Sequence, residues 1–237
     1  MSERPSLAGR VALVTGGAGA LGRAVSGRLL ADGAQVAVPL ETAADEQHLR
    51  PRLSADAAGR LFTSVVDVTD LDAMSRFVAD TVGGHGRIDI LVSLVGGFAG
   101  GALVDTGRAT WDRMLALNVT STFVATRAVV PHMVKAGRGR IVTIGSRAVV
   151  PPGPGFIAYT TAKAAVIAFT QALAQEVKSH GITVNAVLPS TMDTPANRAA
   201  MPDVDPRTWI PVTGVADVIA FLVGDGAAHV TGALLSV

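Results

Sequence analysis

Short apolar runs alternate with longer segments of helical periodicity along the whole chain. RVALVT at 10–15 is typical: nearly every position is apolar, as in a strand buried on both faces of a sheet. The stretch after it, RAVSGRLLADG, has helical spacing and stops at Gly33. The same alternation places strands at 10–15, 35–39, 61–66, 88–94, 139–145, 182–188 and 232–236, with helices filling most of the intervals. Strands separated by helices pair in parallel. Right-handed crossovers then give an α/β, doubly wound sheet of about seven strands in the order 3-2-1-4-5-6-7, with its ligand edge at the strand C-termini.

The first strand runs directly into GGAGALG and then a helix. Strand, glycine-rich turn and helix form the setting of a Rossmann-type dinucleotide site. Glycines let the backbone approach a pyrophosphate, whose charge sits at the helix N-terminus. Gly16, Gly19 and Gly22 carry the spacing G-x2-G-x2-G.

A second chemical signal lies at 145–163, GSRAVVPPGPGFIAYTTAK, which sets Ser146, Tyr159 and Lys163 in the spacing Ser-x12-Tyr-x3-Lys. Tyr and Lys four apart share one helix face, with Cβ atoms roughly 5–6 Å apart. A phenol titrating near ~10 is a poor proton donor and acceptor at neutral pH. A neighbouring ammonium favours the phenolate, so Lys163 is expected to lower Tyr159. A serine at a strand end can hold a carbonyl oxygen against the tyrosine. The pattern reads as proton transfer to a carbonyl or from an alcohol. A surface helix carrying Tyr and Lys by chance, and a Ser146 that merely caps a strand end, are the structural alternatives.

The chain has 237 residues, 16% of them charged and 49% hydrophobic, and a net charge of +1. A single domain spanning 1–237 fits that length, and a sheet covered on both faces fits that composition. No apolar run approaches a membrane span, and MSERPSLAGR has no signal-peptide core, so a cytoplasmic protein with no membrane partner is expected. The charge balance gives no nucleic-acid surface. Cysteine is absent, and the histidines at 48, 85, 132, 180 and 229 lack ligand spacing, so no metal is expected.

Taken together, these motifs resemble the short-chain dehydrogenase/reductase family over nearly the whole chain. Asp67-Val68 is similar to the family's adenine-contacting pair, Asn118 in LNVTSTF to its helix asparagine, and VNAVLPSTMDT at 184–194 to its nicotinamide-covering loop. The family's NNAG is replaced by Ser93-Leu94-Val95-Gly96, its Pro-Gly by Pro189-Ser190, and a turn glycine by Ala20. The resemblance implies Asn118, Ser146, Tyr159 and Lys163 as catalytic residues. It implies NAD(P)(H) contacts at Gly16, Gly19, Leu21, Gly22, Leu40, Glu41, Asp67, Val68, Leu94, Gly96, Tyr159, Lys163, Pro189, Thr191 and Thr194. Asn118 is expected to fix a helix distortion and a water linking Lys163 to solvent. A homo-oligomer, tetramer or dimer, packed through the helices near 107–136 and 157–180 is also implied.

Cofactor choice rests on VAVPLE. The position of the family's NAD-selecting acid is Leu40, and Glu41 stands where a basic residue marks NADP use. Glu41 would repel a 2′-phosphate, which points to NAD(H); the alternative is a solvated acid at a helix start. The small-molecule substrate is less legible. Phe98, Phe156, Met192, Met201 and Trp209 are candidates for an apolar pocket or for core. The segments 96–101 and 188–209 resemble dihydropteridine reductase, an NADH-dependent member of the superfamily. That enzyme lacks the serine, so the retained Ser146 favours a carbonyl or alcohol substrate over a quinonoid pterin. A non-catalytic NAD(P)-binding sensor or scaffold is the remaining alternative. The polar segment 190–211 is expected to be a substrate-covering loop.

Overall fold

A computed structural model describes residues 7–237. Its sheet is built from β1 (Val11–Thr15), β2 (Gln35–Leu40), β3 (Leu61–Val65), β4 (Ile90–Ser93), β5 (Gly139–Ile144), β6 (Ile182–Leu188) and a last strand near the C-terminus. Two short strands precede that last one, β7 (Met192–Asp193) and β8 (Ile210–Pro211), so the last strand is β9 (Leu234–Ser236). The seven-stranded sheet has the order β3-β2-β1-β4-β5-β6-β9, and every pairing is parallel. The order expected from sequence is therefore correct, the seventh strand being β9.

The helices are α1 (Ala20–Ala31), α2 (Glu46–Leu49), α3 (Ala55–Gly59), α4 (Leu71–His85), α5 (Arg108–Leu115), α6 (Ser121–Ala136), α7 (Ile157–Val177), α8 (Pro195–Ala200) and α9 (Val212–Val223). Strand residues point alternately to the two faces and sort the helices into two layers. Ala12, Val14, Val36, Val38, Ile90 and Val92 pack with α1 and α9 residues such as Leu29 and Ile219. Leu13, Ala37, Leu91 and Ile141 pack with Phe77 of α4, Val129 of α6 and Leu173 of α7.

The stretches Arg108–Ala136 and Ile157–His180 are long and apolar enough to cross a membrane by length and composition. About half of each window is buried inside the fold, which accounts for its apolarity. The segment 190–211 is not a plain loop. Thr194 caps α8, its Oγ1 accepting from Asn197 N at 3.1 Å, and β7 pairs in parallel with β8.

Candidate active site

The winding of the chain reverses between β1 and β4, the neighbouring strands that send their connections to opposite sides. Such a switch point opens a crevice at the strand C-termini. Gly16 sits in that crevice with φ +67°, and a Cβ there would stand 2.9 Å from Val95 N. The turn closes as Gly19 N donates to Gly16 O at 3.1 Å, and α1 begins one residue later. No side chain caps α1, which leaves its first N–H groups available to an anion.

The space for a dinucleotide depends unevenly on the glycines. A Cβ on Gly22 would overlap the Gly16 carbonyl oxygen and lie 2.6 Å from Gly17 Cα. A Cβ on Gly17 would lie 2.7 Å from Val38 Cγ1, so Gly17 lets α1 pack on β2. Sequence reasoning missed Gly17, whose only signal was the Gly16-Gly17 doublet. At Gly19 the nearest approach is 3.3 Å, so the shifted glycine is the looser one. Leu21 and Leu40 turn their side chains into the core, which leaves only their backbone at the crevice.

Polar groups after β2 and β3 line the side expected to take the adenosine. Asp67 is exposed, and its Oδ1 accepts from Thr69 N at 2.8 Å and Thr69 Oγ1 at 2.7 Å. The Thr69 hydroxyl and amide hold the Asp67 carboxyl below its usual range. Val68 packs against the core beside it. Glu41 is exposed and belongs to none of the ion pairs among the described residues. Arg50 is drawn to Glu46 at 2.6 Å. A cavity of about 250 Å³ nearby is lined by Arg23, Gln47, His48 and Pro51. Arg23, on α1, was missed from sequence; it follows Gly22 directly, and its Nη1 donates to Ala18 O at 3.1 Å.

Ser146 lies just beyond β5, and Tyr159 and Lys163 lie one turn apart on α7. Ser146 and Lys163 are buried, and Tyr159 is partly so. Burial pushes the Tyr159 hydroxyl above its ordinary value, and the neighbouring Ser146 hydroxyl pulls it partly back. This reverses the expectation that Lys163 lowers it. The reason is that burial of the phenol outweighs the pull of its neighbours; Lys163 Nζ itself donates to Ile144 O at 2.9 Å. Desolvation lowers Lys163 itself to about 8. Ser146 Oγ accepts from Ala148 N at 3.2 Å, which fixes the loop after β5.

Asn118 is the centre of a π-helical turn, Ala116–Thr120, between α5 and α6. Its Nδ2 donates to Met114 O at 2.9 Å and Gly97 O at 3.2 Å, and its Oδ1 accepts from Gly97 N at 3.3 Å. A Cβ on Gly96 would lie 2.7 Å from Asn118 Oδ1 and 3.2 Å from Lys163 Nζ. Gly96 thus brings the β4 loop against both side chains, a packing role beside the cofactor contact expected of it. Leu94 N donates to Thr15 Oγ1 at 3.3 Å, and Ser93 Oγ shares a hydrogen bond with Thr122 Oγ1 at 3.2 Å. The departure from NNAG is accommodated by these bonds.

Pro189 ends the buried run of β6, and Thr191 O accepts from Ile210 N at 2.9 Å. The Thr194 hydroxyl is committed to capping α8. Of the apolar candidates, Phe98 and Phe156 come together beside Tyr159. Trp209 is buried, and Met192 packs against the core, so neither forms that cluster.

Residues 10–205 match the family model described as short chain dehydrogenase. The (2S)-[(R)-hydroxy(phenyl)methyl]succinyl-CoA dehydrogenase subunit BbsD of Thauera aromatica is 36% identical over 96% of this chain and 94% of its own. The 3-oxoacyl-[acyl-carrier-protein] reductase FabG of Escherichia coli is 33% identical over 97% of this chain and 96% of its own. The NAD+-bound xylitol dehydrogenase structure superposes with a TM-score of 0.87 at 28% identity, covering 97% of this chain and 98% of that one. The chain belongs to the short-chain dehydrogenase/reductase family. It is a nicotinamide-dependent oxidoreductase of the alcohol/carbonyl class.

Proposed function

We propose that residues 1–237 form one dinucleotide-binding and catalytic domain that interconverts a ketone and an alcohol, with Tyr159 as the proton-transfer group. The observation that carries this is the placement of the partly buried Tyr159 hydroxyl beside the Ser146 hydroxyl, with Lys163 one turn further along the same helix. A protonated phenol at this place is a general acid for a carbonyl oxygen. Ser146 donates to the same oxygen and fixes its position. Lys163 is tied to the end of β5 through Ile144 O and lies beside Gly96 of the β4 loop. Asn118 positions the β4 loop that walls the site.

The glycine turn, Asp67-Val68, Leu94, Gly96 and the 189–194 segment are the residues that would hold NAD(P)(H). The nicotinamide, when bound, supplies or accepts hydride at the substrate carbon. The tight turn at Gly16 and Gly22, which admits no side chain, and the uncapped start of α1 fit a pyrophosphate. NAD(H) is the preferred form in this reading, because Glu41 is exposed and stands outside the ion pairs among the described residues. A second reading, NADP(H), has one observation in its favour: Arg23 and His48 line a common cavity.

The remaining parts of the proposal are a cytoplasmic homo-oligomer, dimer or tetramer, packed through α5, α6 and α7. Phe123, 47% exposed on α6, is an apolar residue such packing would cover. Reduced-nicotinamide absorbance, followed against a panel of ketones, alcohols and a quinonoid pterin, tests the activity. Turnover of ketones or alcohols alone supports the proposal. Turnover of the pterin alone selects the dihydropteridine-reductase reading, and cofactor binding without any turnover selects a sensor.

A further inference from the structure

The loop 96–101 holds a phenylalanine in an unusual place. Phe98 is 61% exposed, yet its ring meets Tyr159 edge-on at 5.0 Å and 68°, and Phe156 at 5.8 Å. Its ring contacts are those two aromatic neighbours, and backbone bonds at both ends fix the loop that carries it. Asn118 bonds both the N–H and the C=O of Gly97. At the other end Gly101 N donates to Gly155 O at 2.7 Å, and Ile157 N donates to Gly101 O at 3.4 Å. The two bonds tie the β4 loop to the segment that leads into α7. The loop is thus fixed beside the tyrosine, and the Phe98 ring lies against the phenol while the residue stays exposed. An exposed aromatic ring next to the proton-transfer group favours a flat apolar ligand, since ring pairs gain beyond their area burial.

We infer that Phe98, backed by Phe156, is a specificity-determining residue that selects carbonyl substrates bearing an aromatic ring next to the reacting carbon. The inference deepens the reading of Tyr159 as the proton donor and rests on it. Phe98 also contributes to the burial that raises Tyr159, because its ring lies against the phenol.

The test compares acetophenone with cyclohexyl methyl ketone, which is close in size and apolar but not aromatic. Binding is measured by titration calorimetry on the protein with NAD+, with which a ketone cannot react. Wild type should prefer acetophenone by about three- to tenfold, and Phe98→Leu, which keeps apolar volume without the ring, should bring the ratio close to one. No preference in wild type, or a ratio unchanged in Phe98→Leu, overturns the inference. Tyr159 is the sole tyrosine, so tyrosinate absorbance on the chain alone reads its ionisation directly. Phe98→Ala should move that titration to lower pH, and an unmoved curve overturns the shielding role. Neither measurement depends on turnover, so a failure of Tyr159 as proton donor shows separately, as full activity in Tyr159→Phe.

Discussion

Asn118 grips Gly97 through both ends of one amide, donating to its carbonyl at 3.2 Å and accepting from its N–H at 3.3 Å. The same Nδ2 serves Met114 O, in the turn where the π-helix departs from the α-helical ladder. Asn118→Ala leaves these groups without a partner at a site only 1% exposed. A loss of about 1–3 kcal/mol in urea unfolding is expected. Turnover should fall by more than the stability loss explains, because the loop bearing Phe98 is released; an unchanged kcat would show that the grip serves stability alone.

Tyr159→Phe keeps the ring that packs against Phe98 and removes the transferable proton. Turnover should drop by roughly 10²–10⁴-fold with nicotinamide affinity little changed. Ser146→Ala should lower carbonyl reduction with a smaller effect on stability, since apart from its interaction with Tyr159 the hydroxyl makes one turn contact, to Ala148 N. Full ketone turnover in Ser146→Ala would assign Ser146 to the turn and strengthen the pterin reading. Steady-state kinetics on both variants decides this.

The glycine turn allows a paired test. Gly22→Ala places a methyl into the Gly16 carbonyl, and neither partner is a flexible side chain. It should weaken cofactor binding severely and lower the melting temperature. Gly19→Ala, where the new Cβ would be 3.3 Å from the same oxygen, should be mild in both respects. Equal effects from the two substitutions would mean that the turn relaxes and that the spacing is not what selects glycine.

The strand order was legible because runs such as VALVT and ILVS are apolar at all but their last position, and every residue in them is buried, as a sheet covered on both faces requires. The loop 190–211 was not, because Met192–Asp193 and Ile210–Pro211 are too short to show a period, and their pairing joins residues far apart in sequence. The Ser146, Tyr159 and Lys163 cluster was legible from spacing, since two of the three share a helix face. The direction of the Tyr159 shift was not. It depends on how deeply the phenol is buried, which spacing along the chain does not give. Arg23 was missed for a related reason: helical periodicity gives its face but not the approach of the 47–51 segment to that face.

Lys163 makes stability depend on pH. Its pKa is about 8 folded against 10.5 as the ordinary value, so burial penalises the charged form. Below pH 8 the penalty is fully present; it is relieved as pH rises from about 8 toward 10.5, where the unfolded chain still holds the proton and the folded chain does not. Wild type should therefore gain about 2 kcal/mol relative to Lys163→Met between pH 7 and pH 9.5. Tyr159 works the other way, since a raised phenol loses stability above its unfolded value, so the comparison stays below pH 10. Parallel stability curves for the two proteins would place the ammonium in water.

Glu41 bears on the choice of cofactor. It follows Leu40 at the C-terminal end of β2, where a dinucleotide's adenosine ribose is expected, and it is exposed and outside the ion pairs among the described residues. A carboxylate there repels a 2′-phosphate, and Arg50, the nearest arginine after it, is already drawn to Glu46. NADH should exceed NADPH in kcat/KM by about tenfold or more at low ionic strength, and the ratio should shrink as salt screens the repulsion. Glu41→Arg should narrow or reverse it. Arg23 and His48 are the opposing groups, since their shared cavity has room for an anion. A wild type that prefers NADPH, and loses that preference in Arg23→Ala rather than changing in Glu41→Arg, would move the 2′-phosphate into that cavity and overturn the assignment to NAD(H). Steady-state kinetics with both cofactors on the three proteins separates the two outcomes.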